Sequence, residues 1–388
     1  MLARRRPASS LPVADLVVLA AVATFASLVA PSAARALPLY AARQGLPCVA
    51  CHFDPQGGGA RREFGFLYEK NRHDLAPEER WADLVLSNKV GDALYFGTNL
   101  RQQYTYVHAV GTGETGVSTF FPMQGALYAV FAPLPQVTAL YDRDLRETRD
   151  AWVMVHDLPA GLYVKAGQFR VPFGLRMDDH TGAMRAGFRD ALAGSFGTSG
   201  FLSWDPRRVE GGLEVGVTPF AATNLTLVTA LTNGGGPFAQ QSQALTGKLS
   251  IQQSGVLGGV SGYHNYRSNS KDTDWRASAY AGLGPLPALV LLGEAGVGES
   301  KDVAGTIRRT RGFFVEADYR LSRAVLLRGK YDYVDLDQRT PGLAQERYTV
   351  ESDLTFLPFV DMKLSLRRVV PEDAADENQG LVQWHFYY

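Results

Sequence analysis

The stretch RGFFVEADYRLS, residues 311–322, carries the pattern from which the architecture can be read. Phe313, Val315, Ala317, Tyr319 and Leu321 fall on one side, and Phe314, Glu316, Asp318 and Arg320 on the other. Alternation with period two survives only in a strand; a helical period of 3.6 would scatter both sets around the axis. The pattern recurs in FVDMKLSLRR (359–368), where Val360, Met362, Leu364 and Leu366 oppose Asp361, Lys363, Ser365 and Arg367. In RYTVESDLTF (347–356), Tyr348, Val350, Leu354 and Phe356 likewise oppose Glu351 and Asp353.

The connections between such strands alternate in length and chemistry. Short ones carry proline, glycine or serine: APLP at 132, DLPA at 157, TPFA at 218, QSG at 253, GPLP at 284, LSR at 321 and LPF at 357. Long polar ones lie between them, near residues 110, 143, 232, 267, 298, 337 and 371, and the longest runs from Val171 to Arg207. Fifteen alternating hairpin connections imply an all-β fold: about sixteen antiparallel strands closed as a transmembrane barrel, with short turns at one rim and long loops at the other. A soluble sandwich or lipocalin-like barrel would also alternate, but it gives no reason for the loops to interleave by length. An even strand number puts both termini at the short-turn, periplasmic rim and the long loops outside. The final strand, LVQWHFYY, is expected to set Val382, Trp384, Phe386 and Tyr388 on one face.

Composition agrees. The 388 residues are 46% hydrophobic and include 17 Tyr, 20 Phe and 40 Gly, yet after residue 36 no run is long and apolar enough for a spanning helix. A net charge of zero gives no electrostatic basis for nucleic-acid binding. Ahead of the barrel, three arginines at positions 4–6, an apolar run from Leu16 to Ala30 and small residues Ala34 and Ala36 read as a signal peptide, residues 1–36. The expected organisation is thus signal peptide 1–36, a short segment 37–90 and the barrel 91–388.

That segment holds both cysteines, Cys48 and Cys51, with His52 directly after them. C-x-x-C-H is the attachment signature of c-type haem: two thiols form thioethers to the vinyl groups and the adjacent imidazole reaches the iron. A structural zinc site wants four ligands, a thioredoxin-type pair wants a βαβ setting, and a plain disulfide remains the simple alternative. Pro55 is placed to orient His52, Gly57, Gly58 and Gly59 allow close backbone approach, and Phe64 is placed to pack on the macrocycle. Arg61 and Arg62 either pair with propionates or line a solvated face. Residues 64–89 are expected to be helical, with a second helix starting near Pro77.

On these residues the chain resembles a known family. LPLYAARQGLPCVACH (37–52) followed by a barrel of this length is similar to the fused monohaem cytochrome–porin proteins, with Tyr40, Ala41, Arg43, Gln44 and Gly45 matching the approach to the haem site. The resemblance implies one covalent haem c, electron transfer across the outer membrane of a Gram-negative bacterium, an extracellular donor such as Fe(II), and a periplasmic cytochrome or similar carrier as acceptor. HFDPQGGGARREFG (52–65) also resembles other monohaem outer-membrane proteins, and VKAGQFRVPFG (164–174) resembles anion-type porins.

The sixth iron ligand is open on sequence: His73, a barrel residue, or water. His385 is expected on the lumen side near the periplasmic rim, and Met154 and His156 are possible from the fourth strand. Inward charges are expected at Arg101, Lys165, Glu210, Glu214, Lys248, Glu316, Asp318, Arg320, Arg328, Lys330, Glu351, Asp353, Asp361, Lys363 and Arg367. Residues 171–207, with Asp178, Asp179 and His180, would form either a constriction or a lid. The function expected is electron conduction through the haem, the alternative being a diffusion porin for small solutes with an accessory haem segment; no acid–base constellation of a haem enzyme is present.

Overall fold

The computed structural model describes residues 38–44, 46–113, 115–145, 148–175, 184, 209–220, 223–234, 242–253, 255–267 and 273–388. The expected signal peptide, and Asp178, Asp179 and His180 with most of the loop around them, lie outside the described residues. Among the described residues, sixteen barrel strands succeed the N-terminal segment: β1 (Leu94–Ala109), β2 (Val117–Leu134), β3 (Val137–Arg143), β4 (Thr148–Leu158), β5 (Leu162–Phe169), β6 (Glu210–Phe220), β7 (Leu225–Thr232) and β8 (Ser242–Gln253). The second half comprises β9 (Val256–Arg267), β10 (Thr273–Leu286), β11 (Leu289–Lys301), β12 (Ile307–Arg320), β13 (Val325–Asp335), β14 (Ala344–Leu357), β15 (Val360–Pro371) and β16 (Glu377–Tyr387). Each pairs antiparallel with its neighbours in sequence, and β16 pairs with β1, from Glu377 opposite Ala109 to Tyr387 opposite Asn99. The sheet is closed, so each of the sixteen has a partner on both sides.

Polarity is inverted relative to a water-soluble barrel. Val315 is 53% exposed and Val350 70%, whereas Asp318 is fully buried and Glu316, Glu351, Glu210 and Glu214 are buried with it. Exposed aliphatic and aromatic side chains continue around the outside, among them Leu127, Leu213, Leu231, Leu245, Leu366 and Phe386. A closed barrel satisfies every ladder group internally and presents its apolar face outward, which is the solution a bilayer core demands. Inside, Arg328 is ion-paired with Glu316 at 3.2 Å, Asp318 at 2.6 Å and Asp353 at 3.4 Å, and with Glu351. Arg347 meets Asp332 at 2.9 Å. The expected face assignment therefore holds where it was sharpest.

The short rim turns where the sequence places its turn residues. Asn224, Phe359 and Gly255 take left-handed backbone there, with φ of 44°, 62° and 80°. Of these only Gly255 does so without steric cost. Two expectations need correction. The tract 64–89 is not a pair of helices: beyond α1 (Pro38–Gln44), α2 (Glu63–Lys70) is the only described α-helical stretch, and Glu79–Trp81 forms a single 3₁₀ turn. Left-handed backbone at Arg72 and His73 (φ 53° and 58°) ends α2, and the chain from there to β1 takes its course from the barrel wall. Tyr388 does not join the outward face of Trp384 and Phe386; its ring packs on Phe66 and Phe359, at centroid distances of 5.1 and 5.6 Å, and its hydroxyl donates to Ser87 O.

The outward face sets an expected outcome. Val315→Arg, which puts a charge on the lipid side of β12, should cost about 2–4 kcal/mol if the residue sits near the bilayer midplane, while Val315→Leu should be near neutral. Denaturant unfolding of the protein folded into liposomes measures the difference.

Candidate functional site

The segment ahead of β1 lies in the lumen at the short-turn end. Cys48–Ala50 form one 3₁₀ turn, in which Cys51 N and His52 N both donate to Cys48 O, at 3.1 and 2.9 Å. Both thiols and the imidazole therefore leave the same turn. The chain then closes a loop: His52 bridges Arg61, Phe53 N donates to Ala60 O, and Arg62 N donates to Cys51 O. Gly57, with φ 86°, is needed here, because a Cβ on it would lie 3.2 Å from the Cys48 Cβ and Sγ. From the other side α2 packs backbone to backbone; a Cβ at Gly65 would come within 2.3 Å of Cys51 O.

Neither thiol is in a disulfide. Burial, and next the Glu69 carboxylate, push the Cys51 thiol up to about 12, and burial raises Cys48 as well. A dithiol redox centre needs a depressed thiol pKa, so this environment speaks against the thioredoxin-like reading. The donor set fits covalent haem: two unpaired thiols three positions apart on one turn, an imidazole beside the second, and a glycine backing the first.

Among the described residues, ion pairs at two widely separated places join the segment to the wall. Lys165 of β5, fully buried, places Nζ 3.0 Å from Asp54 and 3.0 Å from Glu214 of β6. Tyr163 OH donates to Glu214 at 2.8 Å and accepts from Gln56 at 3.3 Å. Asp74 meets Arg320 at 2.9 Å and Arg323 at 3.5 Å, where β12 turns into β13. Other contacts run between these points. Gln252 of β8 donates to Leu46 O at 2.6 Å, and Arg72 donates to Thr355 O of β14 at 3.0 Å. Gly284 in β10 lets the end of α1 approach, since a Cβ there would lie 2.5 Å from Ala42 O.

From the opposite side the chain after β5 folds inward. Gly174 N donates to Ser261 Oγ of β9 and Leu175 N to Glu294 of β11. Val171, Phe173 and Met184 share an apolar cluster with Leu39, Ala41 and Ala42 of α1. The described part of that loop thus turns inward and packs against the segment. Arg170, ion-paired with Asp150 at 3.1 Å, has its guanidinium about where a side chain on Gly58 would go, 3.5 Å from that position.

The sequence-derived candidates separate. Cys48, Cys51 and His52 are together, and Pro55 is half-buried in the loop that Gly57 N closes on Asp54 O. Arg61 is ion-paired with Glu69 and stands over the Tyr387 ring at 5.2 Å. Arg62 donates to His52 O at 3.1 Å and lies over Phe53 at 5.0 Å. Phe64 is exposed on α2, while Phe66, which sequence reasoning passed over, is fully buried. His73 is stacked on Tyr40 at 4.6 Å, with Nε2 3.4 Å from Tyr387 OH. His385 faces inward, its nitrogens 3.2 Å from Asp361 and 2.8 Å from Asn99. His156 lies 2.8 Å from Thr138 Oγ1, and Met154 is buried in the apolar cluster that holds Phe53. Asp54 and Asp74 carry no sequence signal, because nothing local names partners more than a hundred residues away.

The fold is that of the porins. No protein-family model matches the chain, and no curated protein matches it. Among solved structures it is similar to an anion-selective porin from Comamonas acidovorans (TM-score 0.57, 9% identity, covering 76% of this chain and 99% of that one). It is also similar to the outer membrane channel DcaP of Acinetobacter baumannii (0.57, 11%, 76% and 97%) and to OmpF of Salmonella typhi in complex with daunomycin (0.55, 12%, 77% and 98%). At such identities the likeness is one of architecture: a sixteen-stranded, porin-like membrane barrel.

The segment's charges predict how acid acts on it. Burial alone would raise Asp54 and Asp74, but Lys165 for the first, and the Ala76 N–H with Arg320 for the second, hold both below the ordinary carboxylate value of 3.8. Burial, with Arg43, Arg61 and Arg320 adding to it against Asp361, takes His73 down to about 3 from 6.5. In all three cases the undocked segment binds protons more readily than the docked one, so these groups favour docking most above 6.5 and less as pH falls, whereas Glu69, which burial raises to about 7, acts in the opposite sense over that range. Hydrogen-exchange protection factors of residues 46–88, corrected for the intrinsic pH dependence of exchange, should fall first between about 6.5 and 4, through His73, and again below about 4 through the aspartates. His73→Phe should shrink the first step and leave the second.

Proposed function

We propose that the protein is an electron-transfer barrel of a Gram-negative outer membrane, with one haem c attached in its lumen. Cys48 and Cys51 would hold the group through thioethers and His52 would bind its iron. When bound, haem supplies a one-electron Fe(III)/Fe(II) couple. The chain's own residues give that couple its place: the turn Cys48–His52 is backed by α2, closed by the loop 53–60 and fastened to β5 through Asp54 and Lys165. The single observation behind the reading is that the C-x-x-C-H turn lies inside the barrel and not on a free domain beside it. A donor on the extracellular side, such as Fe(II), and a periplasmic cytochrome would then exchange electrons through a wall that neither crosses. His73 of the segment, and His385 and Met154 of the wall, would be the candidates for a further iron ligand.

A second reading is the one to which the similar solved structures lend more support. The similar solved structures bear the names of porins and a channel, and the lumen is lined with charges of both signs, so diffusion of small solutes past an accessory segment is the alternative.

One experiment separates them. Protein is placed in liposomes enclosing an oxidised soluble cytochrome, and Fe(II) is added outside. Under the electron-transfer reading the enclosed cytochrome is reduced by wild type and not by Cys48→Ala/Cys51→Ala, which should also lose covalent haem absorbance on a denaturing gel. Equal reduction by both proteins means that Fe(II) diffuses through, and reduction by neither ends the conduction reading.

A further inference from the structure

The two ion-pair sites that bind the segment to the wall lie nearly across the barrel from each other. Lys165 is on β5 and Arg320 at the end of β12, seven strands away in a closed sheet of sixteen. Between them the chain runs from Asp54 to Asp74, through the loop 53–60, α2 and His73. It forms a bar across the lumen, held at each end by an aspartate on a cationic wall. A sixteen-stranded barrel encloses an aqueous channel unless something fills it. Here the bar lies across the lumen, and the chain after β5 packs against α1 beside it.

At the Lys165 end the wall keeps an ion pair of its own without the bar. Lys165 keeps Glu214 at 3.0 Å if Asp54 leaves, and Arg328 is paired within the wall. The bar in turn pairs Arg61 with Glu69 and Arg72 with Glu78 inside itself. Separating the two bodies therefore leaves Lys165 paired at one end, while at the other Arg320 and Arg323 give up Asp74 with side chains already 17% and 32% exposed at the rim, so neither site leaves a fully buried cation alone, the situation that makes a broken buried pair costly.

From this we infer that the segment is a releasable plug, and that the barrel has a second, ion-conducting state reached when Asp54 and Asp74 leave Lys165 and Arg320–Arg323. The inference holds whether or not haem is attached, and its readout is current, not electron transfer.

Planar-bilayer recording tests it on the full-length protein. Wild type should show small, infrequent currents. Asp54→Lys/Asp74→Lys, which sets like charges against both wall sites, should raise the open-state current several-fold. The milder Asp54→Asn/Asp74→Asn, less exposed to misfolding, should raise it in the same direction. The charge swap Asp54→Lys with Lys165→Glu restores attraction at one end, so it should bring current below that of Asp54→Lys alone. Heat-modifiable gel migration confirms a folded barrel, and mass analysis an intact segment. Wild-type current already as large as that of the variants overturns the inference. So does unchanged current in a folded asparagine pair, or a swap that does not lower the current of Asp54→Lys.

Discussion

A bilayer core offers no hydrogen-bond partner to a peptide group, and the shape of this molecule is a response to that. Sixteen strands can lie in it only because β16 returns to pair with β1 and closes the sheet. The same constraint turns the chain inside out: Val350 and Leu366 face lipid while Glu351 and Asp318 are buried. A charged interior in turn permits what an oily core would not, namely a polar segment carried within the membrane's thickness. Asp54 is tolerated there because Lys165 is, and Lys165 because Glu214 and Asp54 surround it.

The segment is too small to bury a core of its own. It borrows one. Phe66 packs on Phe359 and Tyr388, Phe53 on Tyr95, and His73 lies between Tyr40 and Tyr387, so these side chains of the segment are completed by wall residues distant in sequence. Its secondary structure is correspondingly sparse, with two short helices and backbone held in place by contacts to the barrel.

This explains what could be read in the sequence. Strand number, face assignment and the alternation of turns and loops depend on period-two patterning and turn chemistry, which are local, and they were legible in stretches such as 311–322. The haem signature was legible as three residue identities, Cys48, Cys51 and His52. The course of residues 71–88 was not legible, because helical periodicity there competes with wall contacts such as Arg72 to Thr355 and Arg323 to Ala76. Nor was the inward turn of Tyr388, since strand parity stops governing a residue once the strand has ended. Asp54 and Asp74 look like ordinary loop acids until the barrel closes around them.

The burial of Cys51 beneath Gly65 and the loop 53–60, within a ring of strands, bears on biosynthesis. No modifying enzyme of protein size can bring its own groups to that sulfur once the segment has docked. Any covalent maturation of the two thiols would therefore belong to the undocked segment, before it first enters the cylinder or while it is released from it.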